Sequence, residues 1–339
     1  MIELSAERKG LFKRLESIVG NTPLYEIKNI KIPNGCRILC KEENKNPTGS
    51  HYDRFWVEYF RELETKEDAR TKKAIINSEN MHEKPIIETT TGNSGASFAW
   101  ISRALGYKDY RVVIPKDMPY SRKKQIESYG ASLIESNEKQ YVRGVIKTFK
   151  EYIKHKIGAY IIPNHAAQND MNFQSMQNIG DEIIQNMPSD IKNVDFFISA
   201  LGNGLTTKGI GSSLKKQYEL KIIGVEPKEC PTFFYKKLNN EIKHNKEFTH
   251  KMYGSGTGDI EDFDFPILKN FLSCIDDIKL VSECEWKNAL QKLEDYEGKF
   301  VGHTSAACFF TALKLADDIN NKDKVFVIVF YDSDWKYYD

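Results

Sequence analysis

The sequence has no C-x-x-C pair, no histidine pair at metal-ligand spacing, no apolar run long enough to span a membrane, and almost no net charge. Its six cysteines, at 36, 40, 230, 274, 284 and 308, have no zinc-site spacing. Cys36 and Cys40 fall on one face of an expected strand, where thiols behave as small apolar core groups rather than disulfide partners. The reading is of a reduced, cytoplasmic chain. Basic residues number 49 against 48 acidic, a formal charge of +1, which argues against a non-specific nucleic-acid or membrane-surface binder. Residues 1–20 are charged and helix-like, an arm without the apolar core of a targeting segment. Internal repeats and low-complexity tracts are absent as well.

What is present is alternation. Short apolar runs at 36–41, 86–89, 110–114, 132–134, 160–162, 194–200, 221–225 and 325–331 read as strands. Between and after them, helical patterns are expected at 55–66, 94–105, 121–129, a stretch ending near 155, 172–187, 206–218, 283–296 and 304–316. The region 227–260 is less regular. Strands alternating with helices imply parallel sheets with right-handed crossovers, and near-continuous apolar strands such as 325–330 suit sheets covered on both faces. At 339 residues the chain has room for two domains, or one large domain with a mobile lobe.

Three loops between strand and helix carry chemistry. Asn46-Pro47-Thr48-Gly49-Ser50-His51-Tyr52-Asp53-Arg54 is a tight turn opening a helix that Ser50 can cap. Thr90-Thr91-Gly92-Asn93-Ser94-Gly95 offers amides and hydroxyls at a helix start, suited to a carboxylate; a plain cap and turn would use the same residues. Gly202-Asn203-Gly204-Leu205-Thr206-Thr207 follows a strand and reads as a phosphate cradle, a weak signal when taken alone. Lys208 can add positive charge there or point to solvent. Near the C-terminal end, Val301-Gly302-His303-Thr304-Ser305 opens the last helix, where Thr304 serves equally well as a cap or as a ligand hydroxyl.

Taken in order, these segments resemble the cysteine synthase and cystathionine β-synthase family, the fold type II pyridoxal-phosphate enzymes. Its signature Asn-Pro-(Gly/Thr)-Gly-Ser-X-Lys-Asp-Arg is matched at 46–54, with Tyr52 in the lysine's place. Ile18 to Leu24, Gly224-Val225-Glu226-Pro227, Lys251 to Gly256 and Tyr331-Asp332-Ser333-Asp334 resemble further family segments. The resemblance implies a two-lobe α/β architecture with the ligand cleft between lobes. The expected division is an N-terminal arm and crossing segment at 1–36 belonging mainly to the larger lobe, a smaller mobile lobe at 37–160 with the carboxylate loop, and a larger lobe at 161–339 with the phosphate loop.

It also implies roles. Asn93 would bond the phenolic oxygen of pyridoxal 5'-phosphate, Gly202, Asn203, Gly204, Leu205 and Thr206 its phosphate, and Thr304 (with Ser305 second) its pyridine nitrogen. Thr90, Thr91, Gly92 and Ser94 would grip the substrate's α-carboxylate. Asn203 and Leu205 depart from the family's phosphate loop, and Leu205 adds bulk where glycine is usual. The family's lysine forms the internal Schiff base and moves the Cα proton; a phenol cannot form an imine, and Tyr52 serves as a base only if its pKa, about 10 unperturbed, is strongly lowered.

Three readings follow. The chain is an impaired member that still binds the cofactor, held non-covalently; or an active relative with altered β-replacement or β-elimination chemistry on a small amino acid; or a regulatory protein without cofactor whose Thr91–Ser94 loop takes a partner's C-terminal carboxylate. A homodimer is expected on the resemblance, with neither nucleic acid, membrane nor metal as partner.

Overall fold

A computed structural model describes residues 2–67, 75–77, 83–137, 140–155, 159–163, 170–238, 250–256 and 271–339. The chain divides into two compact units. Unit 1 comprises Met1–Gly20, Asn46–Asn172 and Tyr337–Asp339; unit 2 comprises Asn21–Lys45 and Phe173–Lys336.

Unit 1 is built on a parallel sheet of β3 (Ile86–Thr89), β4 (Tyr110–Pro115) and β5 (Ser132–Ser136), in that order. Its helices include α1 (Ala6–Ile18), α2 (Tyr52–Thr65), α3 (Asn93–Ala104), α4 (Tyr120–Ser128) and α5 (Tyr141–Ile153). The α2 helix is the most aromatic: Phe55, Trp56 and Phe60 are almost wholly buried, and Trp56 and Phe60 pack on Phe98 of α3 at ring separations of 5.0 and 5.9 Å. Rings of this size contribute large apolar area to one face, which fixes α2 against α3. Ser5 caps α1 by accepting from the Arg8 amide, and the Arg8 guanidinium then reaches Glu64 near the end of α2.

Unit 2 carries a mixed sheet in the order β1-β2-β9-β6-β7-β8. β1 (Leu24–Glu26) pairs antiparallel with β2 (Arg37–Lys41), while β2, β9 (Val325–Val329), β6 (Phe196–Ala200), β7 (Lys221–Pro227) and β8 (Asp277–Val281) run parallel. All five residues of β9 are buried, as a central strand covered on both faces requires. Helices α6 (Asp170–Gln185), α7 (Leu205–Leu214), α8 (Thr232–Lys237), α9 (Glu283–Glu297) and α10 (His303–Ala316) accompany it. Because β2 pairs with β9 through five registered positions, residues 37–45 belong with unit 2. Lys41, with no exposed surface, is held by Glu182 at 2.7 Å and by the Thr22 carbonyl. Removing one member of such a pair leaves a buried charge uncompensated.

Most helices begin within a few residues of where their patterns predict. The strand expected at 160–162 is reduced to an isolated bridge, Ile161 to Ile86. Within 227–260, residues 239–249 and 257–260 lie outside the described residues.

Candidate functional site

Each unit presents its own set of the residues that the sequence singles out. In unit 1 they gather at the starts of α2 and α3. Gly92 precedes α3 with φ +136°, a conformation that L side chains rarely adopt, and a Cβ there would lie 2.7 Å from the Arg122 side chain. Thr90 shapes the turn from within: its Oγ1 accepts from the amides of Gly92 at 2.9 Å and Gly95 at 2.8 Å. That hydroxyl is therefore committed to the loop, and so are the amides of Gly92 and Gly95, which takes Thr90 and Gly92 out of the expected carboxylate donors. Among the described residues the amides of Thr91 and Ser94 have no acceptor, which leaves them as donors beside the positive end of α3. Ser94 Oγ accepts from Trp56 Nε1 at 3.0 Å, retaining its own proton to donate. Asn93 is the first helical residue, half-buried, and its carbonyl accepts from Ser97.

The 46–54 turn supports this loop. Asp53 accepts from the Thr48 amide at 2.7 Å and from its hydroxyl. Thr48 Oγ1 in turn lies 3.1 Å from Ser97 Oγ on α3, and Gln125 of α4 donates to the Thr48 carbonyl at 2.9 Å. Ser50, expected to cap α2, does not: the N-cap position is His51, which makes no side-chain cap, and Ser50 Oγ only accepts from the Tyr52 amide at 3.3 Å in the turn before the helix. Tyr52 is half-buried, its ring 4.4 Å from that of His51 and 6.1 Å from that of Phe55. Burial, helped by the nearby Tyr141, pushes the phenol up to about 12. At neutral pH roughly one molecule in 10⁵ would carry the phenolate. Tyr52 is a neutral hydroxyl, the opposite of what a base needs.

Arg122 is the principal side chain of unit 1 that the sequence did not flag. It reads there as one more cation in Ser-Arg-Lys-Lys, yet it is 2% exposed. Nη1 donates to the Thr91 carbonyl at 3.0 Å, and the guanidinium stands 4.4 Å over the Tyr337 ring. Such a stack is favourable, and it braces the back of the 90–94 turn. Only tertiary contact distinguishes this arginine from its solvated neighbours.

In unit 2 three of the flagged segments meet. The turn before α7 has Gly204 at φ +84°, and a Cβ there would press into the Phe271 ring at 2.7 Å. A Cβ on Gly202 would collide with the Gly254 carbonyl, so the 251–256 segment packs directly on this turn. The same segment reaches α10, where His303 Nδ1 lies 2.8 Å from the Lys251 carbonyl and its ring stacks on Trp286 at 4.0 Å. Asn203 Oδ1 accepts from the Leu205 amide at 3.0 Å, occupying one donor that a phosphate would otherwise use. The Leu205 side chain is buried, pointing its bulk into the protein interior. Lys208 lies with Nζ 5.4 Å from the Phe173 ring.

At α10, Ser305 Oγ accepts from the Tyr331 amide at 2.9 Å and is fully buried. Among the described residues Thr304, 6% exposed, has no hydrogen-bond partner, which makes it the hydroxyl to offer a ligand. Behind both segments lies a hydroxyl cluster of Ser199, Thr207 and Tyr331. Cys308 packs there too, and burial outweighs the hydrogen bond it shares with Tyr331, pushing its thiol up to about 12.

The donor set suits pyridoxal phosphate. Unit 2 has backbone amides at the start of the ten-residue α7 for the phosphate and a neutral hydroxyl at Thr304 for the ring nitrogen; unit 1, taken by itself, has amides at α3 that suit a carboxylate. Tyr52 does not suit covalent attachment.

A parallel-rich α/β chain with these loops in this order defines the class of fold type II pyridoxal-phosphate proteins. The family model described as pyridoxal-phosphate dependent enzyme matches residues 15–330, and the chain belongs to that family. It is 31% identical over 324 residues to a cysteine synthase of Buchnera aphidicola subsp. Schizaphis graminum, covering 94% of this chain and 92% of that one. A Staphylococcus aureus cysteine synthase is 27% identical over 317 residues, 93% and 92% of the two chains. Among solved structures, a hydrogen sulfide-producing enzyme from Fusobacterium nucleatum superposes with a TM-score of 0.79 at 26% identity, covering 95% of this chain and 98% of that one. The cysteine synthase of Entamoeba histolytica gives 0.76 at 27% identity, with 99% and 92% covered. The family's cofactor is pyridoxal phosphate.

Proposed function

We propose that this protein holds pyridoxal phosphate without a lysine tether and acts on a small α-amino acid in the β-replacement and β-elimination class, with proton transfer impaired or rerouted. The observation that carries this is Tyr52, whose phenol burial pushes up to about 12 at the start of α2. A phenol has no amine to condense with an aldehyde, and a neutral one takes no proton from Cα at neutral pH.

The remaining residues keep their binding work. Amides of the Gly202–Thr206 turn would hold the phosphate, Thr304 the ring nitrogen and Asn93 the phenolic oxygen. Thr91 and Ser94 would hold the amino acid's carboxylate, with Thr90 and Gly92 shaping their turn. Bound pyridoxal phosphate supplies the electron sink for bond changes at Cα. A neutral Thr304 leaves the ring nitrogen less protonated than a carboxylate would, favouring elimination over amino transfer. Without a positioned acid–base group the rate should fall by about 10² to 10⁴ relative to a lysine-bearing relative.

The test is a cofactor titration of the purified chain, followed by borohydride reduction and mass spectrometry. The expected result is saturable binding, reversed by dialysis, with no pyridoxyl-lysine after reduction, and a visible absorbance band that appears only in Tyr52→Lys. A pyridoxyl-lysine in the unsubstituted protein would overturn the proposal.

A further inference from the structure

We infer that Tyr331 is the positioning residue for the phosphate end of the cofactor: its hydroxyl closes a ring of hydrogen bonds around the Ala200 peptide and thereby fixes where the Gly202–Thr206 turn begins. This rests on the reading that the turn before α7 binds the phosphate.

The ring is built from four contacts. The Ala200 amide donates to Tyr331 Oη at 3.1 Å, and Tyr331 Oη lies 2.9 Å from Ser199 Oγ. Ser199 Oγ lies 2.7 Å from Thr207 Oγ1, and Thr207 Oγ1 donates to the Ala200 carbonyl at 3.4 Å. Each hydroxyl has one proton to give, so a single direction satisfies all four contacts: Tyr331 donates to Ser199, Ser199 to Thr207, and Thr207 back to Ala200. Both ends of Ala200 are held, two residues before Gly202. Thr207 belongs to the first turn of α7, so the ring also clamps the strand that enters the turn to the helix that leaves it.

The surroundings are dry. Ser199 has no exposed surface, Thr207 1% and Tyr331 6%. In a low dielectric such bonds strengthen one another, and an orphaned member is costly. The backbone of the same residue serves the other end, since the Tyr331 amide donates to Ser305 Oγ at 2.9 Å, adjacent to Thr304. One residue thus ties the α7 turn and the first turn of α10 to a common post. The ring system of the tyrosine supplies packing that phenylalanine would reproduce; only the hydroxyl supplies the clamp.

The experiment measures dissociation constants of the full chain for pyridoxal phosphate and for pyridoxal, which lacks the phosphate. Tyr331→Phe is expected to weaken pyridoxal phosphate about tenfold and to leave pyridoxal unchanged. Thr207→Val, which breaks the same ring, should give the same loss, and the double variant should lose no more than either single one, as members of one network do. Thr207→Ser should retain binding. Equal weakening of both ligands, no weakening of either, or losses that multiply in the double variant would overturn the assignment. If Tyr331→Phe does not fold, the Thr207→Val and Thr207→Ser pair decides by the same ratio. An unsubstituted protein that takes up no pyridoxal phosphate would sink both this inference and the proposed function. Normal uptake with an unchanged ratio in the variants would sink this inference alone.

Discussion

At position 52 the local chemistry runs against catalysis by ionisation. The phenol is held at about 12, so its folded value lies above the ordinary 10. A tyrosine raised in this way binds its proton more tightly in the folded state. Its contribution to stability is therefore full below pH 10 and is lost as pH rises toward 12. Tyr52→Phe should leave any pH–rate profile between pH 6 and about 9 unchanged in shape, because the phenol does not titrate there; steady-state rates across that range check it. Gly92 offers a second test. At φ +136°, against Arg122, alanine would be strained and obstructed together. Gly92→Ala should cost about 1–3 kcal/mol in chemical denaturation and weaken amino-acid binding. The carboxylate loop could be read from the sequence because glycine and hydroxyls cluster in it. The division of labour inside the loop could not: whether the Thr90 hydroxyl turns inward to Gly92 and Gly95 or outward to a ligand depends on a side-chain rotation that composition does not encode. The same holds for Ser305, committed to Tyr331 while Thr304 stays available.

Among the elements, those with a strong apolar period were readable and those with charge in them were not. β8 alternates Asp277, Ile278, Lys279 and Leu280, with only Ile278 and Val281 buried. It is an edge strand blunted by charge, and the sequence shows no run there. α8 hides between a proline and two lysines. Its start is organised by Glu226 at the end of β7, whose carboxylate accepts from the amides of Phe233 at 2.9 Å and Phe234 at 2.8 Å. Burial outweighs those bonds and pushes the carboxyl up to about 8 from its usual 4.5. Folding then takes up a proton between those values, so the stability from this group is present below pH 4.5 and is lost as pH rises toward 8. Glu226→Gln should flatten that slope, measured as denaturation midpoints at pH 5 and pH 8. The capping box of Ser282 and Glu285 before α9 makes a useful contrast. Ser282→Ala should cost about 1 kcal/mol of stability and leave cofactor affinity unaltered.

For the whole molecule, the order of strands and helices was accessible from the sequence, and the β2 pairing was not. β2 leads directly into the 46–54 turn of unit 1, yet it hydrogen-bonds to β9, almost three hundred residues away in the chain. No local pattern announces a partner that distant. Among the described residues no helix is long and apolar enough to cross a membrane. The assembly we propose is a cytoplasmic homodimer; sedimentation equilibrium should return twice the 39.1 kDa chain mass, and a single-chain mass would exclude it. Unit 1 depends on the far end of the chain as well. Tyr337 lies under Arg122 and the Tyr338 carbonyl accepts from the Ser121 amide. Tyr337→Ala should lower the melting temperature and loosen the 90–94 turn, which shows as weaker amino-acid binding. The dependence reaches into biosynthesis. A domain closed by Tyr337–Asp339, far along the chain from its other parts, stays open until those residues have been synthesised. Its interior must be shielded from aggregation by chaperones or by speed rather than by early folding.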